Sequence, residues 1–238
     1  MKLRYKRILL KLSGELFSDD KKNGISFNSV EKVARCLIDL KKKYPIDLAI
    51  VIGAGNIFRG RMVEARDFDR AQADYMGMLA TIINCLALQG EIERLGGETR
   101  LMSAINVTTV CEPFIRRRAL RHLSKGRIVI LAGGTGNPFF TTDSAAALKA
   151  IELNCDVVIK GSNVDGVYDC DPKKNKGAKK FDTLTYQYAL EQGLMVMDAT
   201  AFALCQHEKI SIIVFDADNL DNLEKIVAGE KIGTLITE

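Results

Sequence analysis

Asp47-Leu48-Ala49-Ile50-Val51-Ile52-Gly53-Ala54-Gly55-Asn56 is the stretch on which the fold turns. After Asp47 its residues do not alternate between apolar and polar, so the run predicts a strand covered on both faces rather than one half-exposed to water. It passes straight into glycines. The same grammar recurs upstream, where Arg7 to Leu12 ends in Ser13-Gly14, and downstream, where Ile128 to Ala132 enters Gly133-Gly134-Thr135-Gly136. Helical periods lie between these strands. Asn28 and Glu31 suggest a capping box ahead of Val30, Val33, Ala34, Leu37 and Ile38, with Lys41 to Lys43 suited to the helix C-terminus. Ala71 to Arg94 is apolar almost all round and needs cover on two sides. Glu112-Pro113 predicts a further helix start, followed by helix 143–153 and strand 156–160. A polar, lysine-rich surface segment covers 169–180; helices near 185–192, 199–208 and 220–227 and a strand at 211–215 follow. Repeated strand, loop and helix units predict a mostly parallel sheet in a three-layer α/β/α arrangement, with ligands at the carboxyl ends of the strands.

Composition sets the outer bounds. The 238 residues are 47% hydrophobic and 27% charged, which suits one domain over 1–238 with a large core. A formal charge of +4 is small for that length; it disfavours a dedicated nucleic-acid binder and permits a local basic pocket for phosphates. The six cysteines include no Cys-x-x-Cys pair and mostly sit in apolar runs, so zinc is not expected and a reducing cytoplasm fits. The apolar run after the basic amino terminus breaks at Lys11 without a cleavage site, and Tyr75 to Leu88 falls short of a membrane span. A cytoplasmic protein is expected.

The glycine loops invite common nucleotide motifs, which are absent. Gly55 to Met62 has Walker-loop spacing but places Arg61-Met62 where Lys-Ser or Lys-Thr belongs, and Gly53 to Phe58 lacks the last glycine of the dinucleotide fingerprint. The two histidines, His122 and His207, give no hydrolase triad. Bare backbones at Lys11 to Gly14, Gly53 to Asn56 and Gly133 to Gly136 can approach phosphates and aim N–H groups at them, with Lys11 and Arg59 as adjacent cations. Phosphoryl transfer needs little beyond such fixed dipoles and charges. Asp143 suits a helix cap and also the orientation of Lys11. Asp165, Asp169 and Asp171 miss the calcium-loop pattern, so they are expected to form turns, and no protein-bound metal site is expected.

The segments Lys11-Leu12-Ser13-Gly14-Glu15, Asn56-Ile57-Phe58-Arg59-Gly60, 74–81, 135–144 and Val164-Asp165-Gly166-Val167-Tyr168 resemble those of bacterial uridylate kinases, which have the amino-acid-kinase fold, and the resemblance covers almost the whole chain. It implies phosphorylation of UMP by ATP with Mg2+, in pyrimidine nucleotide synthesis. It implies that Lys11, Leu12, Ser13, Gly14, Gly55 and Arg59 meet the ATP phosphates or the transferred group, and that Ser162, Asn163, Tyr168 and Asp171 line the nucleoside end of the ATP site. For UMP it implies Ala54, through its N–H, then Asp74, Thr135, Gly136, Asn137, Pro138, Phe139, Phe140, Thr141 and Thr142. Lys11, Arg59 and Asp143 are the catalytic candidates. A homohexamer, activation by GTP and inhibition by UTP are implied as well.

The sequence departs from the family twice. Ala54 replaces a glycine, a substitution that costs about 1 kcal/mol or more if position 54 needs a positive φ. Asp19 to Gly24 is less glycine-rich than the family loop implicated in GTP activation.

Overall fold

The computed structural model describes residues 3–19, 23–60, 68–194 and 196–238. The centre of the atypical 19–24 stretch and the Arg61-Met62 pair lie outside them. The chain opens with strand β1 (Arg7–Leu12), a 3-10 turn at Gly14–Phe17 and helix α1 (Phe27–Lys43). Strand β2 (Asp47–Ile52) leads to helix α2 (Arg70–Arg94), strand β3 (Thr99–Ser103) and the short β4 (Glu112–Pro113). Helix α3 (Arg116–Ser124), β5 (Ile128–Ala132), α4 (Thr142–Glu152) and β6 (Val157–Ser162) continue the alternation. An antiparallel pair, β7 (Val167–Tyr168) and β8 (Lys180–Phe181), precedes β9 (Thr183–Thr185) and α5 (Tyr186–Glu191). Helix α6 (Ala199–His207), β10 (Ser211–Asp216), α7 (Asp221–Val227) and β11 (Thr234–Thr237) follow.

Among the described residues nine strands form one sheet in the order β4-β3-β5-β2-β1-β6-β10-β11-β9, parallel throughout except for β10 against β11. The unbroken apolar runs are explained by what covers them. Ile8, Leu10 and Leu12 of β1 join a core with Leu37 of α1, Ile82 of α2 and Leu223 of α7. Leu9 points the other way, into a second core with Ala147 of α4 and Phe202 of α6. Each of the buried Leu, Ile and Phe side chains among them contributes roughly 1.5–3 kcal/mol of hydrophobic stabilisation. The sheet is thus sandwiched between helical layers, the α/β/α arrangement expected. From β1 the chain steps to β2 on one side, whereas β6 and then β10 lie on the other. The topological switch point therefore falls between the carboxyl ends of β1 and β6, where such sheets bind ligands.

Several local expectations are corrected. Helix α1 is capped by Ser26, whose Oγ accepts from Ser29 N, so Asn28 is already inside the helix. Pro113 opens no helix. It lies in β4 on the sheet's rim, where a residue without an N–H is tolerated, and α3 begins at Arg116. Strands β3, β7, β8, β9 and β11 have no counterpart among the elements expected from the sequence. Within this chain α2 is covered on one side: Ile82, Cys85, Leu88 and Ile92 are buried, while Tyr75, Met76, Leu79 and Ile83 are between 43% and 49% exposed.

Candidate active site

Lys11 and Lys160 stand directly opposite each other in the parallel register of β1 and β6. Lys11 is two residues beyond Leu9 and Lys160 two beyond Val158, so strand alternation turns both toward the α4 face. Adjacent strands are about 4.8 Å apart, which would crowd two ammonium groups. Helix α4 resolves the conflict. Thr141 caps it, its Oγ1 accepting from Asp143 N at 3.0 Å and Ser144 N at 3.2 Å, which fixes Asp143 in the first turn above the lysines. Asp143 Oδ1 lies 2.7 Å from Lys11 Nζ and Oδ2 lies 2.6 Å from Lys160 Nζ. All three side chains are at most 16% exposed. Burial opposes the Asp143 charge, yet Lys11 and Lys160 outweigh it and hold the carboxyl below its ordinary pKa. Burial likewise pulls Lys160 below the ordinary lysine value, against the pull of Asp143. Lys160 also donates to Val196 O at 2.7 Å, so it is held by two oxygens. Lys11, Lys160 and Asp143 by themselves sum to a positive charge, with Asp198 a further carboxylate acting on Lys160.

The glycine loops surround this centre. Ser13 Oγ accepts from Glu15 N at 3.3 Å and caps the turn that carries Gly14. Gly53 N donates to Leu12 O at 3.0 Å, fastening the second loop to the first. Ala54 is absent from the residues with positive φ, so the cost considered for its methyl does not arise. Gly133, Gly134 and Gly136 do have positive φ, +75°, +59° and +81°, which explains glycine there. Arg59 donates from Nε to Gly55 O at 2.8 Å and from Nη2 to Glu15 Oε1 at 2.7 Å.

Beside the loops opens a cavity of about 620 Å3. Of the residues singled out in the sequence, Ala54, Gly55, Arg59, Asp74, Thr135, Phe140, Thr141 and Thr142 line it. Gly136, Asn137, Pro138 and Phe139 belong to the same segment without lining it, although Phe139 N donates to Asp74 Oδ2 at 2.8 Å from a backbone held at φ +71°. Arg70 Nε lies 3.1 Å from both Asp74 oxygens. The carboxylate is thereby fixed at the rim with capacity for further donors.

Ser162, Asn163, Tyr168 and Asp171 lie away from that cavity. Ser162 ends β6, and its carbonyl accepts from Ala217 N at 2.9 Å. Asp171 forms the expected turn, its Oδ1 accepting from Lys173 N at 2.9 Å, whereas Asp169 Oδ1 accepts from Lys179 N ten residues on, at 2.9 Å, and Asp165 Oδ2 meets Lys180 Nζ at 3.0 Å. Among the described residues no cluster of three or more His, Cys, Asp or Glu would hold a metal ion.

Lys160, Arg70 and Glu15 were missed as site residues. Lys160 reads as a plain strand end, because its pairing with Lys11 depends on β1 and β6 being neighbours, which sequence order does not reveal. The signal for Arg70 was its place four residues before Asp74, a helical ion-pair spacing.

The amino acid kinase family model matches residues 6–216. The chain is similar to the structure of UMP kinase from Bacillus anthracis at 41% identity and TM-score 0.94, with 98% of this chain and 96% of that one covered. It is similar to UMP kinase from Ureaplasma parvum at 38% identity and TM-score 0.92, with 99% and 100% covered. Uridylate kinase from Archaeoglobus fulgidus matches at 28% identity and TM-score 0.73, with 97% and 99% covered. With the matched span, the parallel sheet and the charged centre at its switch point in agreement, the chain belongs to the amino acid kinase family, and it is a kinase.

Proposed function

We propose that the protein transfers the γ-phosphoryl group of ATP to UMP. The observation that carries this reading is the Lys11–Asp143–Lys160 centre at the switch point, beside a cavity rimmed by Asp74. The kinship with UMP kinases supports the choice of acceptor. In this reading the backbones of Lys11 to Gly14 and of Gly55, with Arg59, hold the ATP phosphates, and Ser162, Asn163, Tyr168 and Asp171 take its nucleoside end. UMP occupies the cavity, with the Ala54 N–H and the 135–142 segment around it. Asp74 accepts hydrogen bonds from the ribose hydroxyls. Charge moves onto the phosphoryl oxygens during transfer, and Lys11 and Lys160, already desolvated and oriented by Asp143, stabilise it without rearranging.

Mg2+ fits this donor set as a companion of ATP rather than as a resident ion. Asp143 is the buried carboxylate nearest the lysines, and phosphates plus water supply most ligands of such a site. Bound there, the ion would neutralise phosphate charge. A cytoplasmic homohexamer in pyrimidine nucleotide synthesis, with GTP and UTP as effectors, completes the proposal; nucleic acid is not a proposed partner. Incubating the protein with magnesium-ATP and separate acceptors tests it. ADP release with UMP, and not with glutamate or carbamate, is expected; release with another acceptor and not UMP overturns it.

A further inference from the structure

Helix α2 turns two buried polar side chains, three residues apart, toward the glycine loops. Thr81 Oγ1 accepts from Gly133 N at 2.9 Å and donates to Met78 O at 2.6 Å. Asn84, wholly buried, donates from Nδ2 to Gly53 O at 2.8 Å and to Asn56 Oδ1 at 2.8 Å. Asn56, 2% exposed, returns the contact: its Nδ2 donates to Asn84 Oδ1 at 3.0 Å and to Gly24 O at 2.8 Å. Both amide groups are thus fully occupied as donors, and each carbonyl oxygen accepts. The Gly14 loop rests on this pair. A Cβ at Gly14 would collide with Asn56 Oδ1 and the Gly53 carbonyl and lie 2.9 Å from Asn84 Nδ2.

Anchoring a helix to a core does not require amides. A leucine at position 84 would pack α2 without the cost of desolvating a polar group, and its contacts would tolerate sliding. A closed amide pair tolerates little displacement, because each lost bond leaves a buried polar atom unpaired. It sets a distance. We infer that Asn84, acting through Asn56 and the Gly53 carbonyl, is a positioning residue for phosphoryl transfer: it fixes the Gly53 loop relative to the Gly14 loop that follows Lys11. The inference rests on the phosphoryl-transfer reading above. The pair is buried and does not line the cavity, so its loss should lower turnover more than binding.

Parent, Asn84→Ala, Asn56→Ala, the double variant and Cys85→Ala are compared for kcat, for KM of ATP and UMP, and for melting temperature. Cys85 is the control, a wholly buried core side chain on the same helix. Because misplacement of about 1 Å can cost about a hundredfold in rate, Asn84→Ala is expected to lower kcat at least about tenfold while both KM values stay within about twofold. The double variant should be no slower than the slower single, as expected for residues that act as one unit. Cys85→Ala should melt earlier yet keep its turnover. Turnover of Asn84→Ala within about threefold of parent, or an equal loss in Cys85→Ala, overturns the inference alone, since a change so small is not a displaced reacting group. An inactive parent overturns the UMP reading and this inference together. If Asn84→Ala does not fold, Asn84→Ser replaces it, and the same kcat criterion decides.

Discussion

Lys11 and Lys160 share Asp143 as counter-ion, so removing any one of the three changes the charge left for a phosphoryl group. Lys11→Ala should lower kcat by roughly 10²-fold or more, the usual worth of a preorganised charge at a transition state, with the fold intact. Turnover within threefold of the parent would remove Lys11 from the catalytic set. Lys160 gives the pH dependence. Burial lowers its folded pKa below the free value of 10.5, against Asp143, so between those values the unfolded chain binds more protons and folding stability rises with pH. Activity moves the opposite way there, because the folded protein loses this charge earlier than a free lysine would. The alkaline limb of kcat should lie below pH 10.5, and Lys160→Arg should shift it upward. A limb that does not move would show that Lys160 is not the titrating group. Asp143 has its folded pKa depressed below 3.8, so its contribution is complete above that value and is lost as pH falls through the folded pKa. On the acceptor side, Asp74→Asn should raise the KM for UMP about fivefold to thirtyfold while that for ATP barely changes, since a charged hydrogen bond becomes a neutral one. It should also narrow the preference for UMP over dUMP. Equal rises in the two KM values would reduce Asp74 to a residue that only steadies its helix.

At the scale of elements, the starts of α4 and α6 are stitched together by one carboxylate. Asp198 caps α6 by accepting from Ala201 N at 2.9 Å, and it also takes the hydroxyls of Thr141 and of Ser144, the latter at 2.9 Å. Asp198→Ala should cost about 1–2 kcal/mol in urea unfolding, the worth of a cap plus the buried Ser144 hydroxyl left without its acceptor, whereas Asp198→Asn should cost less. Equal losses would mean that the side chain matters through its charge alone. The elements legible in the sequence are those whose burial writes a simple pattern. β1, β2 and β5 are apolar on both faces and stop at glycine. β3 carries Arg100 and Thr99 among its apolar residues, and β9 and β11 are only three and four residues long, too short for periodicity to register. The site was legible in the same measure. Lys11 and Asp143 announce themselves beside glycine and at a helix start, but Lys160 and the Asn56–Asn84 pair acquire meaning from neighbours distant in sequence.

For the whole molecule, the outer face of α2 presents Tyr75, Met76, Leu79 and Ile83, an apolar stripe at helical spacing on a chain with ample charge elsewhere. Such stripes mark contact surfaces. In the homohexamer proposed above, a second subunit covers this stripe. Sedimentation should find a stable oligomer at micromolar concentration, and a Leu79→Glu, Ile83→Glu double variant should fall to smaller species, because burying two carboxylates in that contact is prohibitive. A fully active monomer in the parent would remove the hexamer from the reading.

The strand order has a consequence for how the protein is made. Of the described strands β1 emerges from the ribosome first, yet it ends in the middle of the sheet, with β2 on one side and β6 on the other. Its first side is closed once residue 52 has appeared. The other side stays open until residues 157–162 arrive, a hundred positions later, and through that interval the nascent chain carries an unpaired edge of Ile8, Leu9 and Leu10. Open apolar edges recruit foreign strands, so the interval between the syntheses of β2 and β6 is the period when this polypeptide most needs a chaperone's shelter.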